Sequence, residues 1–207
     1  MGGLAVLFFI GLYIGGAIWL VHSRKTRRAK WIAAAIALLL PTTDAVLGRL
    51  YLKHLCNTEG GLKVYRVVKG VKGFMWDLSV NDEWIKKYGF HFVEGNTRSD
   101  GMVNRHTLKN GKIISEWPIA SIARYKAEFH HDKSGSYFEK QKYEVLNLDN
   151  KEVLSTYTHF GFRGGWAEQF LAQFSDAGRG WVSSCSRPRS NPMDIVIKAT
   201  LKPAGHH

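Results

Sequence analysis

The sequence predicts an α+β protein in which a two-helix transmembrane hairpin precedes an antiparallel β-meander domain packed with one or two helices. Three observations predict it. Leu4–Val21 carries no charged residue, and a second apolar stretch follows at Trp31–Leu50 across a basic loop. Beyond residue 57 the pattern changes to short alternating segments separated by Gly, Asn and Asp, which is the period-2 signature of strands and turns. The length of 207 residues allows one domain with a small appendage and excludes a large multidomain enzyme. The formal charge is +12. It divides into seven bases and one acid over 1–56, and 22 bases against 16 acids over 57–207. The outer part is thus a mildly basic mixed surface, and nothing in it calls for nucleic acid.

At about 1.5 Å per residue, 4–21 is just long enough to cross a hydrocarbon core of about 30 Å. A cleaved signal peptide would need a basic segment before the apolar run and small residues after it; five bases follow instead. The second span, 31–50, is expected to kink at Pro41. Arg24, Lys25, Arg27, Arg28 and Lys30 lie between the spans, whereas no Lys or Arg precedes the first. The positive-inside rule makes that loop a topology signal on the cytoplasmic side. Both termini and residues 57–207 are then expected on the far face of a cell inner membrane, the periplasm of a Gram-negative cell. The membrane itself is accordingly an expected partner.

Within the hairpin, Gly11 and Gly15 form a small-residue groove expected to pack against the second helix. Asp44 is an intramembrane polar residue, for which a functional role is the first reading. Capping of the helix restarted after Pro41, with Arg49 offsetting the charge, is the plainer one.

From Val46 to Leu55 an amphipathic pattern continues the second helix as a stalk to about Cys56, ending at Asn57–Gly61. Domain boundaries therefore fall at 1–56 and 57–207. Leu62–Val68 reads as a strand and Asn81–Gly89 as a short helix stopped by glycine. Met102–Lys109 and Lys112–Trp117 flank Asn110-Gly111, a strong hairpin signal. Ser121–Phe129, Tyr137–Leu148 and Glu152–Phe160 form a three-strand meander. Trp166–Phe174, with Trp166, Phe170 and Phe174 four apart, reads as a helix on one face of the sheet, stopping near Gly178. Asp194–Leu201 reads as a last strand.

The motifs that catalysis requires are missing from the sequence: no nucleophile elbow, zincin helix, Cys-x-x-Cys pair or phosphate-binding glycine loop occurs. The chain is therefore expected to be non-enzymatic, with no catalytic residue and no cofactor. His130, His131 and Asp132, with His159 on a neighbouring strand, are the one histidine cluster. Successive strand residues face opposite sides, so His130 and His131 do not chelate one ion, and no metal site is expected. His206 and His207 close the sequence. Cys56 and Cys185 are the only cysteines; a disulfide between them is expected in an oxidising compartment, against two separate thiols. Among the aromatic residues, Phe74 and Trp76 in a glycine-flanked segment and Trp117 before Pro118 are the candidate binding surface.

The order Pro41, Asp44, Cys56, Gly60-Gly61 and Val64-Tyr65 resembles small two-pass inner-membrane proteins carried by prophages and other mobile elements of Gram-negative bacteria, over about thirty residues. The resemblance implies an envelope location and transfers no catalytic residue. The function expected is that of a non-enzymatic, membrane-anchored envelope protein whose periplasmic domain binds another protein, in a role such as excluding a second phage or plasmid. The alternative is a tethered sensor or carrier whose sheet and Trp166 helix enclose a small or lipidic ligand.

Overall fold

The computed structural model describes residues 2–40, 42–77, 83–96, 102–109, 111–133, 135, 137–172, 182–185 and 190–204, with 2–7, 9, 10, 38, 83, 96 and 171 described in backbone only. Among the described residues six helices and eleven strands follow one another: α1 (Gly2–His22), α2 (Arg27–Leu39), α3 (Thr43–Thr58), β1 (Gly61–Val64), β2 (Val68–Val71), β3 (Gly73–Trp76), α4 (Glu83–Tyr88), β4 (Phe92–Asn96), β5 (Val103–Lys109), β6 (Lys112–Ile119), β7 (Tyr125–Asp132), β8 (Phe138–Asn147), β9 (Glu152–Phe162), α5 (Trp166–Ala172), β10 (Ser183–Ser184), α6 (Pro192–Thr200) and β11 (Leu201–Pro203). The α+β class stands. The chain divides into two compact units: 1–58 with 133–139 and 160–185, and 59–132 with 140–159 and 186–207.

The first unit corrects the hairpin. Among the described residues no helix is long and apolar enough to cross a membrane. The stretch 31–50 is divided between α2, which ends at Leu39, and α3, which begins at Thr43. The 13 residues of α2 reach about 20 Å at helical rise, well short of about 30 Å. The inner-membrane location, the cytoplasmic loop and the periplasmic placement of the termini and of 57–207 rested on the two spans and fall with them. Pro41, the expected kink, lies outside the described residues.

Local chemistry explains the helices that do form. Thr26 caps α2 by accepting from the Ala29 N–H at 3.3 Å. Tyr13 Oη donates to the Ala37 carbonyl between α1 and α2. A Cβ added at Gly11 or Gly15 meets nothing within 4 Å, so neither glycine sits at a close helix contact. Leu12, Ile18, Trp19, Trp31 and Ile36 are exposed on these two helices. The unit's buried cluster is instead Leu52, Phe160 and Phe162, with Leu55, Phe138, Cys56 and Cys185 against it.

The second unit holds the main core: Val71, Phe74, Trp76, Ile85, Tyr88, Phe90, Val93, Ala127, Val145, Leu154, Tyr157, Met193, Val196, Ile197 and Leu201. Here the all-antiparallel expectation also needs correction. Strands β1, β9, β8, β7, β3, β4, β5 and β6 are neighbours in that order in a nine-stranded sheet whose remaining strand, β10, pairs with residues 161–162 of β9 in the first unit, and β3 is parallel to both β4 and β7. The meander order β7, β8, β9 and the β5–β6 hairpin are present within it. A separate pair joins β11 to β2 in parallel. Of the strand expected at Asp194–Leu201, residues 194–200 lie instead in α6: Asn191 Oδ1 accepts from the Met193 N–H at 3.0 Å, Pro192 opens the helix, and Met193, Val196, Ile197 and Thr200 are buried at helical spacing. The helices packed into this core are α4 and α6; the Trp166 helix belongs to the first unit.

Candidate functional site

A cleft of about 350 Å³ in the second unit is lined by Lys69, Gly70, Val71, Lys72, Gly73, Phe92, Ile122, Arg124 and Tyr125. Four chain segments build it. β2 brings Lys69, the turn into β3 brings Lys72, β4 starts with Phe92, and the segment leading into β7 brings Ile122 and Arg124. Two glycines make the first half sterically feasible. Gly70 has φ +72°, in the left-handed region, and a Cβ at Gly73 would lie 2.4 Å from the Phe92 carbonyl oxygen. The Lys72 carbonyl accepts from the His91 N–H at 2.8 Å, which ties the β2–β3 turn to the start of β4.

The second half is organised by a buried charge. Glu94 is fully buried on β4 and accepts from Arg105 Nε at 2.8 Å, the Ile122 N–H at 3.1 Å, the Ala123 N–H at 3.3 Å and Ser121 Oγ. A buried carboxylate persists only when paired and hydrogen-bonded, and here its partners include the segment that carries Arg124. The Arg105 guanidinium also donates to the Ala120 carbonyl at 2.9 Å and lies 5.7 Å from the centre of the Phe92 ring. Among the described residues the lining therefore includes three cationic and two aromatic residues and no carboxylate. Lys69 and Lys72 make no ion pair with a described residue, and Arg124 reaches Asp149 only at 3.7 Å, with both groups exposed.

A second constellation crosses β7 and β8 in the same unit. Strand alternation puts Lys126, Glu128 and His130 on one face, and the register sets Glu144 opposite Glu128 and Lys142 opposite His130. The groups alternate in sign: Asp77 is 2.9 Å from Lys126, Lys126 2.6 Å from Glu128, His130 3.2 Å from Glu128 and 2.9 Å from Glu144, and Lys142 2.6 Å from Glu144. Burial works against the charge on Lys126, but the hydrogen bonds to Glu128 and Asp77 outweigh it and hold the ammonium above the ordinary lysine value.

The residues singled out from sequence are scattered. Cys56 and Cys185 form a disulfide with Cα atoms 5.6 Å apart. Asp44 accepts from the Trp166 N–H at 2.6 Å and so caps α5 from a distant part of the chain, while Arg49 pairs with Glu168. Arg24 and Lys25 lie in the α1–α2 connection, and Arg27, Arg28 and Lys30 in the first turn of α2. Phe74 is wholly buried and Trp76 is 7% exposed, both on β3, so neither is a binding surface. Trp117 is 57% exposed on β6, the terminal strand. The His131 ring lies 6.1 Å from that of Phe129 and tilted to it by 35°, on the strand face away from His130. His206 and His207 lie outside the described residues. Sequence reading missed Lys69, Lys72, Arg124, Glu94, Glu128 and Glu144. The run Lys69-Gly70-Val71-Lys72-Gly73 was a usable signal for the first two, because paired lysines between glycines mark backbone that turns tightly under a positive charge. No family model matches the chain, and neither a curated protein nor a solved structure matches it.

Proposed function

We propose that the chain is a non-catalytic binding protein whose ligand is a small organic anion, seated between Lys69, Lys72 and Arg124 with its apolar body against Phe92 and Tyr125. The observation that carries this reading is that three cationic residues, and no carboxylate, are among the described residues lining the cleft. Such a set would attract and orient an anion. Among the described lining residues there is no serine, cysteine or histidine to pair as nucleophile and base, which favours binding over turnover. The volume of about 350 Å³ suits a ligand of one ring and one anionic group.

Calorimetric titration of the full chain with phenyl phosphate, inorganic phosphate and phenol tests this. Phenyl phosphate is expected to bind more tightly than either fragment, with affinity falling as salt rises. Lys72→Ala and Arg124→Ala are each expected to weaken it about fivefold, and the double variant about 25-fold, because each removes about 1 kcal/mol of a solvent-screened contact. Equal binding by wild type and the double variant would refute the assignment.

A second reading, engagement of a protein partner, is favoured by the terminal position of β6, where Ile114 and Trp117 are 41% and 57% exposed. A terminal strand offers one row of backbone groups for strand addition, and Trp is the side chain most enriched among interface anchors. The exclusion-type envelope role was expected from a two-pass anchor, and among the described residues no helix is long and apolar enough to cross a membrane.

A further inference from the structure

We propose that Glu128, His130 and Glu144 form a site for a divalent metal ion of the zinc class. This inference is independent of the anion cleft. One donor atom from each residue lies within 4.8 Å of the other two, and His130 Nε2 faces Glu128 Oε2 and Glu144 Oε1. The imidazole nitrogen is 3.2 Å from the first oxygen and 2.9 Å from the second. Donors bound at about 2.0–2.1 Å to a tetrahedral Zn²⁺ stand about 3.3 Å from one another, so two edges of the coordination polyhedron already have nearly the right length.

The arrangement around the donors supports this assignment. Each carboxylate has one oxygen turned toward His130 and the other held by a lysine: Lys126 Nζ lies 2.6 Å from Glu128 Oε1, and Lys142 Nζ 2.6 Å from Glu144 Oε2. Lys126 is itself fixed by Asp77 at 2.9 Å. That division of labour between the oxygens is what outer partners do for ligating carboxylates: they set orientation and leave one lone-pair direction for the ion. Glu144 is 7% exposed, so its carboxylate has little freedom to turn away. The His130 side chain is 52% exposed, which leaves the fourth position open to water.

Charge and ligand type select the ion. Three carboxylates, of Asp77, Glu128 and Glu144, stand against two ammonium groups, so the carboxylates outnumber the lysines by one and the cluster admits a cation. Two oxygens and one imidazole nitrogen suit Zn²⁺. Ca²⁺ would need about six to eight oxygens, and Mg²⁺ an octahedral oxygen set. The rival account is a purely structural ladder, in which His130 and the lysines offset the repulsion between Glu128 and Glu144 facing each other across β7 and β8.

The test is a ZnCl₂ titration of the full chain carrying His206→Ala and His207→Ala, which removes the terminal histidines as rival donors, against a chromogenic chelator. One equivalent is expected to bind more tightly than about 10 μM. His130→Asn and Glu128→Gln are each expected to weaken it by more than about tenfold, and Lys142→Met by about tenfold without touching a ligand. Far-ultraviolet circular dichroism checks that each variant is folded. As a second readout, Co²⁺ in the site should show visible d–d absorption that His130→Asn abolishes. Absence of a saturable equivalent would overturn the proposal and leave the ladder account. So would an equivalent that folded His130→Asn retains.

Discussion

Glu94 shows how much one side chain decides in this protein. With no exposed surface, it gathers Arg105, Ser121 and the Ile122 and Ala123 N–H groups, and through them it sets the position of the segment that delivers Arg124 to the cleft. Glu94→Gln keeps the shape but removes the charge, leaving Arg105, whose side chain is only 14% exposed, without its partner. A cost of about 3 kcal/mol is expected, read as a lower urea midpoint with unchanged slope. Because the loop loosens, phenyl phosphate affinity should fall as well, although Glu94 does not line the cleft. An unshifted midpoint would show that the pair is dispensable. At Gly48 the constraint is steric: an added Cβ would fall 2.3 Å from the Phe162 ring, so Gly48→Ala should destabilise by about 1–3 kcal/mol, as overpacking does. Little of this was legible in the sequence. An isolated Glu on a strand reads as surface, because burial of a carboxylate depends on donors from positions far along the chain.

At the scale of elements, legibility followed how local the deciding interaction was. The β5–β6 hairpin and the β7–β8–β9 order rest on turns between sequence neighbours, and both are where the residue pattern put them. α6 was misread because Ile195, Val196, Ile197 and Thr200 are β-branched and favour strands taken singly. The stronger signal lay just before them, in Asn191 and Pro192, and in the burial of Met193, Val196, Ile197 and Thr200 at a helical period. Asn191→Ala should therefore cost about 1 kcal/mol, whereas Asn191→Asp, which keeps an acceptor for the Met193 N–H, should cost little. Equal losses in thermal melts of the two variants would mean that capping does not hold α6. The parallel placement of β3 between β4 and β7 had no such local signal. Phe74 and Trp76 were expected at the surface for that reason, since flanking glycines suggested a loop where the chain instead runs through the centre of the sheet.

For the whole molecule, two features set stability. The Cys56–Cys185 bridge closes a loop of 129 residues, for which the chain-entropy account gives about 5 kcal/mol before any strain. The second feature is the response to alkali. Tyr88 is pushed far above the usual phenol value by burial, then by its hydrogen bond to Asp194 and by that carboxylate's charge. Tyr157 is raised by burial and by Tyr143, and Lys126 is raised because its bonds to Glu128 and Asp77 exceed the opposing effect of burial. All three shifts have the same sign. As pH rises through about 10, these groups lose their protons in the unfolded chain while the folded chain keeps them. The native state then binds more protons than the unfolded state, so stability is fully present below about pH 10 and is lost above it, by up to about 1.4 kcal/mol per pH unit for each group. Tyr88→Phe isolates one contribution, because it keeps the ring against Phe74 and Trp84 and removes the ionising hydroxyl. At neutral pH the variant should be less stable, by about 1–2 kcal/mol for the lost bond to Asp194. Above pH 10, however, its urea midpoint should fall less steeply than that of the wild type, so that the two curves converge. Parallel curves would mean that Tyr88 ionises as readily in the folded protein as in the unfolded chain, and that the buried hydroxyl contributes nothing to the alkaline limit.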